Sequence, residues 1–216
     1  MRKKVEQRIR DSRVLAIVRG FDPDVCLHLA EAYLAGGIRA MEVTYVQTDR
    51  ASWQKTAAAI RAIRERFAGE LSVGAGTVLT AEQLQMTHDA GGEFMVAPNV
   101  KPDLVRRCAD LDMASIPGAL SPTEAVDAWE AGASFVKIFP AGQMGPAYVK
   151  ALKAPLAHIP MLAVAGVTLD NAADFMKAGC VGIAVSGPLT NREAIAAGQW
   201  DRITAVARAY VEKTVI

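Results

Sequence analysis

The strongest constraint on the fold is a repeated pattern rather than a repeated sequence. Short apolar runs alternate with longer amphipathic ones eight times along 216 residues. The strand-like runs are Val14–Val18, Arg39–Thr44, Leu71–Ala75, Phe94–Val96, Met113–Ile116, Phe135–Phe139, Met161–Val164 and Val181–Val185. Helical periodicity predicts helices over Pro23–Ala35, Ala51–Phe67, Ala81–Ala90, Pro102–Ala109, Pro122–Ala131, Gly145–Leu152, Asn171–Ala178 and from about Gln199 to Lys213. Proline stands at three predicted helix starts, where its missing N–H is harmless, and Ser121 with Glu124 fits a capping box. Ala-Gly pairs close several helices, as at Ala90-Gly91 and Ala178-Gly179. Strand–helix alternation of this kind implies an α/β fold with a parallel sheet. Eight units in this length favour a closed (β/α)₈ TIM barrel over an open doubly wound sheet. The charged stretch from Arg2 to Arg10 reads as an N-terminal helix that caps or plugs it. No linker or composition shift interrupts the pattern, so residues 1–216 are expected to form one domain.

Composition excludes several classes. The hydrophobic fraction of 51% suffices for a large core. Net charge is +1, with both signs scattered, so no nucleic-acid stripe or acidic tail is present. No apolar stretch suits a signal peptide or a membrane span, which points to a soluble cytoplasmic protein. Cys26, Cys108 and Cys180 are too far apart for a disulfide framework or metal cluster, and Cys26 and Cys180 read as buried thiols in apolar helical settings.

Chemistry in such a barrel belongs at the C-terminal strand ends. Within "SFVKIFPAG", Lys137 interrupts a buried strand. Alternation puts Phe135, Lys137 and Phe139 on one face and Val136 and Ile138 on the other. An outward Lys137 would bury an ammonium in the apolar helix layer, so the inward reading is favoured. Desolvation there lowers the lysine pKa and makes free amine, the nucleophile that forms a Schiff base with a ketone. In "RAMEVTYVQT" the same alternation turns Glu42 into the lumen, with Ala40 and Thr44. There it is either a proton carrier for imine chemistry or the partner in a structural ion pair with Lys137. Arg19 ends the first strand as a carboxylate fork or a surface arginine. "GAGTVL" ends the third: its two glycines allow the backbone close to a ligand, and Thr77 offers a hydroxyl and an amide. The turn containing Pro98 would line the mouth, or simply shape the chain. Gly166 and Ser186-Gly187 stand where such barrels often hold phosphate, although plain turns fit there too.

Together, "LAIVRG", "GGIRAMEVT", "VGAGTVLT", "GGEFMVAPN", "IPGALSPTEAVDAWEAGASFVKIFPA", "GPAYVKAL" and "VTLDNAADFMKAGCVGI" resemble the KHG/KDPG aldolase family over nearly the whole chain. The resemblance implies a class I aldolase of the 2-keto-3-deoxy-6-phosphogluconate type, a homotrimeric (β/α)₈ barrel that uses no metal or other cofactor. Lys137 would be the Schiff-base lysine and Glu42 the general acid/base. Arg19 and Thr77 would bind the pyruvate carboxylate. Pro98, Gly166, Ser186 and Gly187 would complete the substrate site. The substrate would be a small 2-keto acid, with no nucleic acid or membrane as partner. His28, His88 and His158 stand at no predicted strand C-terminus, which disfavours a histidine-liganded metal site.

Three departures from the family pattern bear on the substrate. Where many members carry arginine in an "EVTLRT"-like run, this chain has Tyr45, Val46 and Gln47, which leaves the carboxylate to Arg19. A "TGG" phosphate motif becomes Val164-Ala165-Gly166, and a β-carbon at Ala165 would crowd a phosphate oxygen or forbid the backbone angle. The family's Gly-Ser is inverted to Ser186-Gly187. Alternatives therefore include an aldolase for 4-hydroxy-2-oxoglutarate or another unphosphorylated 2-keto-4-hydroxy acid. A non-catalytic trimeric barrel and a phosphate-binding isomerase are the others.

Overall fold

The computed structural model describes all 216 residues. A parallel sheet rolls into a barrel with helices outside. Its strands are β1 (Val14–Arg19), β2 (Ala40–Thr44), β3 (Ser72–Gly76), β4 (Phe94–Val96), β5 (Ala114–Ile116), β6 (Gly118–Ala119), β7 (Val136–Ile138), β8 (Met161–Val164) and β9 (Gly182–Val185). Their order is β5-β4-β3-β2-β1-β9-β8-β7-β6. The ninth segment departs from the eightfold expectation, and its cause is Pro117. That residue has no N–H to give the ladder, so one strand position is divided. β5 pairs with β4, and β6 pairs with β7. The Lys137 and Phe135 amides, bonded to the Pro117 and Ser115 carbonyls at 2.9 and 3.2 Å, carry the hydrogen bonding across the break.

The helices are α1 (Arg2–Ser12), α2 (Pro23–Ala35), α3 (Trp53–Arg66), α4 (Ala81–Asp89), α5 (Pro102–Asp110), α6 (Pro122–Glu130), α7 (Ala141–Lys153), α8 (Ala172–Lys177), α9 (Arg192–Ala196) and α10 (Trp200–Lys213). Ser121 and Glu124 form the expected capping box, and Thr80 with Gln83 forms a second. α7 begins at Ala141, four residues before its expected start, but its backbone breaks at Gly145, ahead of Pro146. α9, a five-residue helix, is too short to carry a periodic pattern and is additional to the expected helices. Cys180 follows α8 instead of lying in a helix, though it is buried as expected. No helix is long and apolar enough to cross a membrane.

Strand alternation divides the interior in two. Val136, Ile138, Met41 and Val43 join the larger core between sheet and helices. Leu15, Ala40, Phe94, Ile116, Phe135, Leu162 and Ala184 fill the lumen. Val5 and Ile9 of α1 belong to that luminal cluster and are fully buried. The helix therefore plugs the N-terminal end of the barrel. Arg2 ties it to Gly132 O at 2.7 Å, Arg8 ties it to Ser72 Oγ at 2.9 Å, and the Arg10 guanidinium sits 5.2 Å from the Phe135 ring centre. An Ile9→Ala substitution leaves a cavity at the base of a packed lumen. It is expected to cost about 2–5 kcal/mol, read as a lower urea midpoint with an unchanged m-value.

Candidate active site at the C-terminal end of the barrel

With the lower end sealed, the lumen opens only at the C-terminal strand ends. A cavity of about 370 Å³ lies there, lined by Arg19, Glu42, Thr77, Lys137, Gly166, Ser186 and Gly187 among others. Seven of the eight residues singled out in the sequence as a substrate site thus converge. The eighth, Pro98, is not part of the lining. Its carbonyl lies against Gly118, where an added β-carbon would come within 2.4 Å of it. Pro98 thus packs against the strand that neighbours Lys137, since Gly118 is paired with that lysine.

Lys137 is central in β7 and only 8% exposed. Its flanking strands present Gly118 on one side and Leu162 on the other. Burial pushes its ammonium below the ordinary lysine range; the Glu42 charge opposes this and Arg19 adds to it. Nζ sits 4.6 Å from the centre of the Phe139 ring, two residues along on the same face.

Glu42 is 3% exposed and is held by Thr44, whose Oγ1 donates to Oε1 at 3.3 Å. Oε2 is buried and has no hydrogen-bond partner. Burial raises the Glu42 pKa, while Lys137, the Thr44 bond and Arg19 lower it. Neither carboxylate oxygen bonds Lys137, so the two groups interact through space and the structural ion-pair alternative lacks its contact. A buried carboxylate biased towards its protonated form, beside an amine biased towards its neutral form, is suited to exchanging protons with a bound substrate.

The glycines of "GAGTVL" act differently from the expectation. A β-carbon on Gly76 would lie 2.1 Å from Glu42 Oε1, and one on Gly74 would lie 2.3 Å from Phe94 O. Gly76 makes room for the carboxylate and Gly74 for luminal packing. Thr77, next in the chain, has φ +54°, a left-handed value rare for a β-branched residue. Such strain costs about 1–3 kcal/mol and persists only where its surroundings impose it. Its Oγ1 is 3.5 Å from Nη2 of exposed Arg19, so hydroxyl and guanidinium face one another across the cavity.

On the opposite wall the turns after β7 and β8 touch. Gly142 N–H donates to Ala165 O at 2.8 Å, and a β-carbon on Gly142 would meet Gly166 Cα at 2.6 Å. Ala165 has φ +69° and Gly166 φ +75°. The backbone angle that a β-carbon was expected to forbid is therefore adopted, at the cost of strain. The Gly142 bond and the Asn171 side chain, which donates to Gly166 O at 3.0 Å, hold the turn. Ser186 Oγ donates to Ile17 O at 3.1 Å and is turned to the wall. A 3₁₀ turn, Gly187–Thr190, follows. The Leu189 and Thr190 amides are bonded to Ser186 O, and Pro188 has none, which leaves Gly187.

Thr44 and Phe139 were readable as luminal from alternation, but their contacts with Glu42 and Lys137 were not. Thr168 and Pro188, also in the lining, follow strands by several residues, where periodicity carries no information. No three His, Cys, Asp or Glu side chains are grouped so as to hold a metal ion.

A family model described as KDPG and KHG aldolase matches residues 5–206. The chain is 37% identical to the 2-dehydro-3-deoxy-6-phosphogalactonate aldolase of Escherichia coli (strain K12), over 82% of this chain and 83% of that protein. A solved structure described as native KDPGal superposes with a TM-score of 0.82 at 36% identity, covering 93% of both chains. KDPG aldolase from Legionella pneumophila, with pyruvate captured as a covalent carbinolamine intermediate, superposes with a TM-score of 0.83 at 25% identity. That match covers 94% of this chain and 96% of the other.

Proposed function

Since the chain belongs to the KDPG and KHG aldolase family, we propose that it reversibly cleaves a 2-keto-3-deoxy-6-phospho-sugar acid, of gluconate or galactonate type. The products are pyruvate and glyceraldehyde 3-phosphate. The observation that carries this reading is the shared cavity: buried Lys137, with its lowered pKa, and Glu42, with a free oxygen, lie together at the barrel mouth.

The steps follow from the side chains. The Lys137 amine attacks the C2 ketone to give a carbinolamine. Glu42 passes protons so that water leaves and an iminium forms. The iminium accepts the electron pair of the breaking C3–C4 bond while the C4 hydroxyl loses its proton, releasing the aldehyde and leaving an enamine. Protonation of the enamine at C3 and hydrolysis of the imine free pyruvate and regenerate the amine. Arg19 and Thr77 hold the carboxylate, and the Gly166 and Gly187 backbone with Ser186 faces the distal end. The reading takes residues 1–216 as one catalytic domain, acting as a homotrimer in the cytoplasm on a small 2-keto acid, without metal, nucleic acid or membrane.

The distal wall favours one second reading. Ala165 carries a β-carbon in a left-handed turn, and the Gly187 turn has one available amide. Both features suit a shorter, unphosphorylated 2-keto-4-hydroxy acid such as 4-hydroxy-2-oxoglutarate. Comparing kcat/KM with and without the 6-phosphate separates the two. Two charge-assisted hydrogen bonds to phosphate, at about 1.5 kcal/mol each, correspond to a preference of roughly 100-fold. Equal kcat/KM values would transfer the proposal to the unphosphorylated substrate.

A further inference from the structure

Gln47 lies past β2, outside the cavity lining, where it is exposed. Its carboxamide is nevertheless held at both ends. Behind it stands Gln83, fully buried in the first turn of α4. Gln83 Oε1 accepts the backbone N–H of Leu79 at 2.8 Å and of Thr80 at 3.2 Å. Backbone amides can only donate, so the oxygen of Gln83 is fixed on that side and its Nε2 must face away. That Nε2 donates to Gln47 Oε1 at 3.0 Å. The same logic then orients Gln47: its oxygen is engaged, so its Nε2 faces Thr77 and donates to the Thr77 carbonyl at 2.6 Å. One chain of donors and acceptors thus runs from the capping turn of α4 to the strained residue whose hydroxyl faces Arg19.

We propose that Gln47 is a positioning residue for the substrate carboxylate. By bonding the Thr77 carbonyl it holds that residue in its left-handed conformation, with the hydroxyl turned towards Arg19. Backbone bonds already hold the two peptides that flank Thr77, from Tyr45 N–H to Gly76 O at 3.0 Å and from Val78 N–H to Val96 O at 3.0 Å. The Thr77 carbonyl itself is bonded by Gln47, so loss of Gln47 frees that end of the peptide to tilt and carry the hydroxyl away from the guanidinium. Gln83 sets the direction of the contact, and Gln47 transmits it. The inference rests on the reading that Arg19 and Thr77 receive the carboxylate of a pyruvate unit bound at Lys137.

The test is borohydride trapping of pyruvate on the full-length protein across pyruvate concentrations, for wild type, Gln47→Ala, Thr77→Ala and the double variant. Gln47→Ala is expected to raise the half-saturating pyruvate concentration about 10-fold, the worth of one good hydrogen bond, while the saturating rate stays near wild type. In the Thr77→Ala background the same change is expected to cost under about 2-fold, because the hydroxyl it would misplace is already gone. An unchanged half-saturation in Gln47→Ala overturns the proposal. So does an equal loss in both backgrounds, which would mark a general structural role. Failure of the wild type itself to trap pyruvate overturns instead the aldolase reading beneath it.

Discussion

Lys137→Ala is expected to abolish the pyruvate adduct altogether and to lower aldol cleavage by about 10⁴-fold or more, since no other amine lines the cavity to replace the nucleophile. Peptide mapping after pyruvate and borohydride should place the wild-type adduct on Lys137 alone. The alanine variant also leaves Glu42 buried without its neighbouring charge. Lys137→Met, which keeps the volume of the stem, is the companion variant, and circular dichroism checks the fold of both. The rate of adduct formation carries a pH signature. Burial lowers the Lys137 pKa below the ordinary lysine range, so the free-amine fraction rises with pH through that lowered value. The rate should climb and level off below the ordinary lysine range. A folded wild-type protein that gives no adduct, or gives one on another lysine, would remove Lys137 from the mechanism. It would also bring forward the non-catalytic barrel. Retained turnover in Lys137→Met would favour an isomerase, which needs no imine.

Glu42→Gln should separate binding from proton transfer. General acid–base catalysis by a placed side chain contributes about 10²–10⁴-fold, and kcat is expected to fall by that amount while pyruvate still forms its adduct. Glutamine keeps the shape beside Gly76, where space is tight. The sign of the accompanying pH effect is fixed: the Glu42 charge raises the Lys137 pKa. Removing it lowers that pKa further, and the rise in adduct formation should move to lower pH. A variant that loses pyruvate affinity but keeps kcat would make Glu42 a binding group and take the proton-transfer role from it.

Much of this arrangement was legible in the sequence because strand alternation is a period-two rule. It places Lys137 with Phe135 and Phe139, and Glu42 with Ala40 and Thr44, without knowledge of any neighbour. The ends of α2 and α6 were legible because proline, capping side chains and Ala-Gly pairs act locally. What was not legible depends on contacts between distant segments. That the chain resumes as a strand after Pro117 depends on β7, which pairs with Gly118 and Ala119. The space kept by Gly76 exists only because Glu42 is one strand away. Ala165 showed the limit of a purely local rule. A β-carbon disfavours its backbone angle, yet the Gly142 amide on a neighbouring turn holds it there. Pro98 looked like part of the mouth because it follows a strand, but its carbonyl faces Gly118 instead of the cavity.

The helix that seals the base of the barrel has a kinetic meaning as well as a structural one. With Val5 and Ile9 filling the lower lumen, the reaction chamber has one doorway, and everything that enters or leaves must share it. On the aldolase reading, with Lys137 as the covalent anchor at the inner end and the aldehyde half of the substrate nearer the exit, traffic is first-out from the top. The aldehyde departs while its pyruvate half is still tethered below, water comes in behind it, and pyruvate is the last to leave. In the synthetic direction the queue reverses, and pyruvate must be seated before an aldehyde can find its partner.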